Sequence, residues 1–160
     1  MIRLLSFLVG SLLISSASAD RPVLALVIDD LGYSLEQAKK VLNLPGEHTY
    51  AIIPATNYSD KIARLADENG QEIILHMPMQ SSTGASIETS ALNEKMTENE
   101  IAQSVENMIR EFPQIKGVNN HMGSRLTEMG YVMRPVMESI KKLNHNLYFL
   151  DSRTSPLSQA

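Results

Sequence analysis

The chain has 160 residues, carries a formal net charge of −4 and contains no cysteine. A mildly acidic surface argues against nucleic acid or anionic lipid as a partner. Without cysteine, disulfide bonds and thiolate chemistry are excluded, so any metal has to be held by His, Asp or Glu.

Residues 1–19 have the features of a cleavable secretory signal. Arg3 supplies a basic start, an apolar run covers residues 4–14, and Ala-Ser-Ala at 17–19 is a small-residue cleavage site. The apolar run is shorter than the about 20 residues that a spanning helix needs. We predict cleavage after Ala19, which removes one basic residue and no acid and so changes the charge from −4 to −5. The expected location is periplasmic or secreted, with no stable membrane span.

Apolar strand patterns then alternate with amphipathic helix patterns over residues 20–160. The predicted strands are 23–28, 49–53, 72–75, 116–119 and 147–150, and the first is expected to be buried on both faces. The predicted helices run from Ser34 to Leu44, from Ser59 to Asn69, from Thr97 to Phe112 and from Val132 to Leu143. Capping boxes at Ser34 with Gln37 and at Thr97 with Glu100 support two of the helix starts, and Gly70 marks a helix end.

This alternation predicts an α/β fold with right-handed crossovers and a parallel sheet. The sheet is expected to be either open and doubly wound or part of a barrel. Five strands are too few to close an eight-stranded barrel. We therefore predict one β/α domain over residues 20–160 that is incomplete at its C-terminal side.

Acids or imidazoles follow four of the five predicted strands. They are Asp29 with Asp30, His76, His121 and Asp151. In parallel α/β folds the carboxyl ends of the strands meet at one rim, so we expect these side chains to lie near one another.

Each of these residues also has a purely structural interpretation. The aspartate pair is typical of turn caps, and a single histidine after an apolar strand is more often a satisfied core residue. Two imidazoles and one carboxylate, however, form a set that suits a divalent metal with open positions. His48 and His145 lie in polar turns, where we predict solvated side chains without a role.

Four segments in order resemble the divergent polysaccharide deacetylases, a branch of the NodB-like carbohydrate esterases. The segments are LVIDDLGYS, ILHMPMQ, GVNNHMGSR and FLDSRT, and the resemblance runs from about Val23 to Ser155. It implies an incomplete, irregular parallel β/α barrel. It also implies a metal-dependent hydrolase, usually with zinc, that removes acetyl groups from an N-acetylated envelope polysaccharide such as peptidoglycan.

The resemblance also implies roles for particular residues. In the wider family the first of two adjacent aspartates is the catalytic base and the second binds the metal, which corresponds to Asp29 and Asp30. The ordinary H-x-x-x-H metal motif is broken here, because Gln80 stands four residues after His76. We therefore expect Asp30, His76 and His121 to hold the metal.

Other residues near the predicted rim have less specific expectations. Asn119, Asn120 or Arg153 is expected to orient ligands or hold sugar, and Asp151 to support a ligand histidine from behind. The family's general acid is a histidine in a late motif, and the four matching segments contain no candidate for it.

Two other interpretations stay open. The first is a catalytically degenerate periplasmic module on the same fold that binds glycan or a protein, which the broken histidine motif favours. The second is a receiver or phosphatase fold with magnesium at the aspartate pair, which the export signal and the two histidines disfavour.

Overall fold

Parallel strands and α-helices alternate along residues 23–84 and 89–160, the ranges that the computed structural model describes. The strands are β1 Val27–Leu31, β2 Thr49–Ile52, β3 Glu72–Met79, β4 Gly117–Met122 and β5 Tyr148–Leu150. The helices are α1 Leu35–Leu42, α2 Ser59–Glu68, α3 Glu98–Glu111 and α4 Gly130–Leu143, and a short 3-10 helix at Leu126–Glu128 precedes α4. Every predicted strand and helix corresponds to one of these elements.

The strands form a single parallel sheet in which spatial order follows sequence order, β1-β2-β3-β4-β5. Each strand therefore lies on the same side of the one before it. Because β/α/β crossovers are right-handed, this order places all the connecting helices on one face of the sheet. The predicted α/β class and parallel sheet are confirmed. Within the described ranges β1 and β5 are the edges, so the sheet is not closed there.

The helices cover one face of the sheet. Tyr50, Leu75, Met77 and Val118 point toward them and are completely buried in one core with residues of all four helices. Burying a side chain of this size contributes about 1.5–3 kcal/mol, so this face holds the two layers together. Because side chains alternate along a strand, the residues between them face the other side, which carries His76 and Asn119 as well as the buried apolar residues Ala51 and Ile74.

The helix boundaries follow the predicted capping signals. Ser34 Oγ accepts a hydrogen bond from the Gln37 amide at the start of α1, which is one of the two bonds of the predicted capping box. Thr97 and Glu100 form a reciprocal capping box at the start of α3. Gly70 follows α2 with a φ of 68°, a conformation in which glycine avoids the strain of a Cβ atom.

Three strands differ from their predicted limits by three residues or more, and β2 and β5 by one residue each. β3 continues through His76 and β4 through His121, with Met79 still paired to Met122. The predicted ends were wrong because a polar side chain does not interrupt a ladder that backbone groups form. β1 begins later than predicted and contains both aspartates.

The prediction that the first strand is buried on both faces was also wrong. Val23 is 93% exposed and precedes β1, and within β1 only Leu31 is fully buried. In the described ranges β1 lies at the edge of the sheet with β2 as its one neighbouring strand, and its Asp29 and Asp30 are exposed.

The predicted signal at residues 1–19 lies outside the described ranges. Within those ranges, no helix combines the length and apolar character that crossing a bilayer demands.

Candidate metal centre

A bulge in β1 brings Asp29 and Asp30 to the same face of the sheet. Ile28 pairs with Tyr50 and Leu31 with Ile52, so three steps along β1 match two steps along β2. Asp30 occupies the left-handed region with a φ of 63°, as an extra residue in a bulge does. The strand was predicted to end before the pair, whereas the bulge places both carboxylates inside it.

The two histidines come from neighbouring strands and share that face. His76 in β3 pairs with Asn119 in β4, and Pro78 pairs with His121, so the four positions have the same orientation. The ring centroids of His76 and His121 are 4.8 Å apart in an edge-to-face arrangement.

Three possible donor atoms, one each from Asp30, His76 and His121, lie close together. Asp30 Oδ1 lies 2.9 Å from His121 Nδ1 and 3.1 Å from His76 Nε2, and the two nitrogens are 3.1 Å apart. Around zinc at bond lengths of about 2.0–2.2 Å, tetrahedral donors are about 3.3–3.6 Å apart, slightly farther than the distances here. Two imidazoles and a carboxylate are also an ordinary zinc donor set. Asp30, His76 and His121, the set that the family resemblance implies, therefore form a group that could hold a divalent metal.

The two histidines of the centre are buried, and its two aspartates are exposed to solvent. The side chains of His76 and His121 are 4% and 14% exposed, whereas those of Asp29 and Asp30 are 41% and 68% exposed. Burial lowers the pKa of His76, against the hydrogen bond to Asn119 and the nearby carboxylates, which raise it. His76 is therefore neutral near pH 7 and can offer a lone pair.

Asn119 and Asn120 are both buried, but they serve different parts of the centre. Asn119 Oδ1 lies 2.7 Å from His76 Nδ1, and its Nδ2 donates to Asp29 Oδ1 at 3.0 Å. Asn120 donates to the Met122 carbonyl at 2.7 Å and accepts from the Ser152 amide at 2.9 Å. Asn119 thus contacts one predicted ligand, His76, and the predicted base, Asp29, whereas Asn120 bonds to the chain after β5.

Asp151 and Arg153 form a turn of their own beside the centre. The Arg153 amide donates to Asp151 Oδ1 at 2.9 Å, and Arg153 has a φ of 51°. This contact differs from the predicted support of a histidine by Asp151. Ser152 and Thr154 line the centre but were not predicted as site residues, although the segment FLDSRT contains both.

An open hollow of about 460 Å³ lies over the centre. Its lining is formed by Asp29, Asp30, His76, Asn120, His121, Met122, Ser152 and Thr154. The lining residues carry carboxylate, imidazole, amide and hydroxyl groups, but most of the accessible surface of the hollow is apolar, so it offers a few polar groups within a mainly apolar surface.

Gln80 stands at the position of the missing second histidine, and its side chain contacts Glu94 in the loop before α3. Its Oε1 accepts from the Glu94 amide at 2.9 Å, and its Nε2 lies 3.3 Å from Glu94 Oε1. Residues four apart in extended chain are separated by about 13 Å, against about 6 Å on a helix. Because His76 lies in a strand, the adjacent strand can supply a second imidazole more readily than position 80.

The two histidines predicted to be solvated differ from each other. His145 is exposed, as predicted. His48 is half-buried, its Nε2 lies 3.2 Å from the Pro45 carbonyl oxygen, and its ring packs edge-on against Tyr50. The prediction of a solvated side chain was therefore wrong for His48.

Two known proteins are similar to the chain in sequence. The chain is 34% identical over 137 residues to the uncharacterized protein YibQ of Escherichia coli, and the aligned region covers 86% of this chain and 42% of YibQ. It is 36% identical over 145 residues to an uncharacterized protein of Haemophilus influenzae, and the aligned region covers 89% of this chain and 50% of that protein. The chain thus spans about half the length of these relatives.

A solved structure and a family profile extend the comparison. The crystal structure of the uncharacterized protein ATU2773 from Agrobacterium tumefaciens superposes with a TM-score of 0.77 at 26% identity, over 84% of this chain and 55% of that one. The sequence profile of the divergent polysaccharide deacetylases matches residues 26–160. With β1 to β5 and the whole candidate metal centre inside that match, the chain belongs to the divergent polysaccharide deacetylase family.

Proposed function

We propose that this protein is an exported, metal-dependent hydrolase that removes acetyl groups from an N-acetylated polysaccharide of the cell envelope. The observation that carries the proposal is the convergence of Asp30, His76 and His121, with Asp29 on the same face of the sheet. Family membership supports the substrate class, and the signal pattern at residues 1–19 supports export.

The donor set indicates how the protein would hold its cofactor. Asp30, His76 and His121 are the proposed ligands, and zinc is the proposed metal because nitrogen donors predominate. When bound, such a metal supplies Lewis acidity to a carbonyl and lowers the pKa of water. The exposed side of Asp30 leaves this position open to the hollow.

Asp29 is the proposed general base. Its carboxylate is half-exposed and faces the hollow, and the Asn119 amide holds its Oδ1 at 3.0 Å. A carboxylate held in this way can accept a proton from water as the acetyl carbon is attacked. Its neighbour Asp30 is the proposed ligand, so the adjacent carboxylates have separate tasks.

Exposed tyrosines on the same rim suit a sugar substrate. Tyr33 and Tyr58 are 52% and 41% exposed, and the Tyr58 amide donates to the Gly32 carbonyl at 3.0 Å, which joins their two loops. A tyrosine offers an apolar face and a polar tip. Sugar rings combine apolar faces with hydroxyl groups in the same way, so we assign this pair to glycan binding.

The test is metal content followed by turnover. Purified protein is analysed by elemental mass spectrometry beside Asp30→Ala and His76→Ala, and acetate release from N-acetylated glycans is then measured. We expect about one zinc per chain in the wild type, its loss in both variants, and acetate release that depends on the metal. A folded wild-type protein that takes up no metal when zinc is offered would contradict the proposal.

A glycan-binding module without catalysis is the second candidate. The observation that favours it is Gln80, which occupies the place of a motif histidine and has a structural contact instead. Binding of acetylated oligosaccharide at the hollow in the absence of any metal, without acetate release, would support this candidate over the enzyme.

A further inference from the structure

Asn119 connects the proposed base to a proposed metal ligand. Its side chain projects from β4, is buried with the residue 1% exposed, and contacts one residue of β1 and one of β3. Oδ1 is 2.7 Å from His76 Nδ1, while Nδ2 is 3.0 Å from Asp29 Oδ1 and 3.4 Å from Ser152 Oγ. One amide therefore contacts both Asp29 and His76.

The contacts of Asn119 define which way its amide points. Its Nδ2 donates to a carboxylate oxygen of Asp29, so the amide NH2 faces Asp29. The carbonyl oxygen of Asn119 then faces His76. The reverse orientation would place two oxygens against each other at the 3.0 Å contact and leave buried groups unsatisfied.

The orientation of Asn119 in turn determines the tautomer of His76. An amide oxygen only accepts, and the buried 2.7 Å contact of Asn119 Oδ1 with Nδ1 is shorter than the 3.1 Å contact of the exposed Asp30 carboxylate with Nε2, so the geometry favours the ring hydrogen at Nδ1. Nε2 then carries the lone pair, and this atom lies 3.1 Å from both Asp30 Oδ1 and His121 Nδ1. A nitrogen with a lone pair at this point is what a metal ligand requires.

We propose that Asn119 is a positioning residue that fixes His76 in its Nδ1–H form, so that Nε2 is directed at Asp30 and His121 before any metal binds. The use of this arrangement for metal binding rests on the proposed function. The tautomer itself is a property of the metal-free protein and can be measured separately.

Two substitutions at this position separate the hydrogen bond from the packing. Asn119→Asp keeps an acceptor for the His76 Nδ1 hydrogen but places a negative charge beside Asp29. Asn119→Leu keeps a similar volume and removes the acceptor, so the ring is free to carry its hydrogen on Nε2 and donate it to Asp30. Asn120→Leu is the matched control, because Asn120 is equally buried but bonds to Met122 and Ser152.

The experiment combines imidazole ¹⁵N NMR on the full metal-free chain with zinc titration. We expect the Nδ1–H form of His76 in the wild type, in Asn119→Asp and in Asn120→Leu. In Asn119→Leu we expect a shift toward the Nε2–H form and about 10- to 100-fold weaker zinc binding, the usual effect of losing a partner behind a ligand histidine.

Three results would discriminate further. A wild-type His76 in the Nε2–H form would overturn the assignment without any variant, as would an Asn119→Leu protein with wild-type tautomer and zinc affinity. A wild-type protein with the Nδ1–H form but no zinc binding would support the assignment and contradict the proposed function.

Discussion

Asp29 and Asp30 approach opposite nitrogens of the same imidazole. Asp29 Oδ1 is 3.9 Å from Nδ1 of His76, whereas Asp30 Oδ1 is 3.1 Å from its Nε2. Neighbouring residues of a regular strand point to opposite faces of a sheet, so only the bulge in β1 allows this arrangement. The same feature places one carboxylate with the proposed ligands and leaves the other beside them.

Because Asp29 is the proposed base and Asp30 a proposed ligand, replacing each by asparagine should affect activity and zinc binding differently. Asp29→Asn should keep the bound zinc and lower kcat by about 10²–10⁴-fold, the usual contribution of a general base. Asp30→Asn should lower zinc affinity as well as activity. Elemental analysis and initial-rate kinetics on both variants test the prediction, and zinc loss in Asp29→Asn would show that the two roles are not separate.

Gly32 is predicted to be essential to the turn that follows the bulge. It has a φ of 143°, and a Cβ atom there would overlap the Thr56 hydroxyl and lie 3.1 Å from the Ile53 carbonyl oxygen. Gly32→Ala should cost roughly 2–4 kcal/mol of unfolding free energy, from backbone strain together with overpacking.

Gly70→Ala is the matched control for this prediction. Gly70 also has a positive φ, 68°, but nothing lies within 4 Å of its added Cβ atom. Its substitution should cost only about 1–2 kcal/mol, from strain alone. Urea unfolding of both variants gives the comparison, and equal losses would mean that Thr56 moves aside without cost.

His121 should matter for metal binding and His145 should not. His121 Nδ1 lies 2.9 Å from Asp30 Oδ1, whereas His145 is exposed at the far end of α4. His121→Ala should weaken zinc binding by at least about 100-fold, and His145→Ala should leave it unchanged. Zinc titration followed by competition with a chelator measures both, and equal affinities would exclude the proposed ligand set.

Restoring the motif histidine should not create a ligand. Gln80→His is expected to leave zinc stoichiometry and affinity unchanged, because position 80 is about 13 Å along an extended chain from His76. The variant should lose about 1 kcal/mol of stability with the Glu94 contact, which thermal unfolding can detect. Tighter zinc binding in this variant would mean that the loop after β3 rearranges around the metal.

The tyrosine pair should affect substrate binding more than turnover. Tyr58→Ala is expected to raise KM for an acetylated oligosaccharide by about 2- to 10-fold with kcat unchanged, as the loss of one ring contact would. Tyr148→Phe is the control, since Tyr148 bonds to Glu72 at the other end of the sheet. A fall in kcat without a change in KM would place Tyr58 outside the glycan site.

Much of this architecture could be predicted from local patterns. The stripe of Ile101, Val105 and Met108 together with the Thr97 cap predicted α3, and alternating strands and helices predicted the parallel sheet. Strand ends were predicted less well. His76 and His121 are polar residues inside β3 and β4, and local polarity does not reveal that a backbone ladder continues past them.

The sequence by itself determined the order of elements and the kinds of side chain that reach the rim, because periodicity and capping depend on nearby residues. It also supplied the donor types for a metal. Only the tertiary structure decided that Asp29 and Asp30 share a face, that Asn119 lies between Asp29 and His76, and that Gln80 fastens a loop. These relations join residues as far as 90 positions apart, and they depend on strand register and on one bulge that local patterns do not encode.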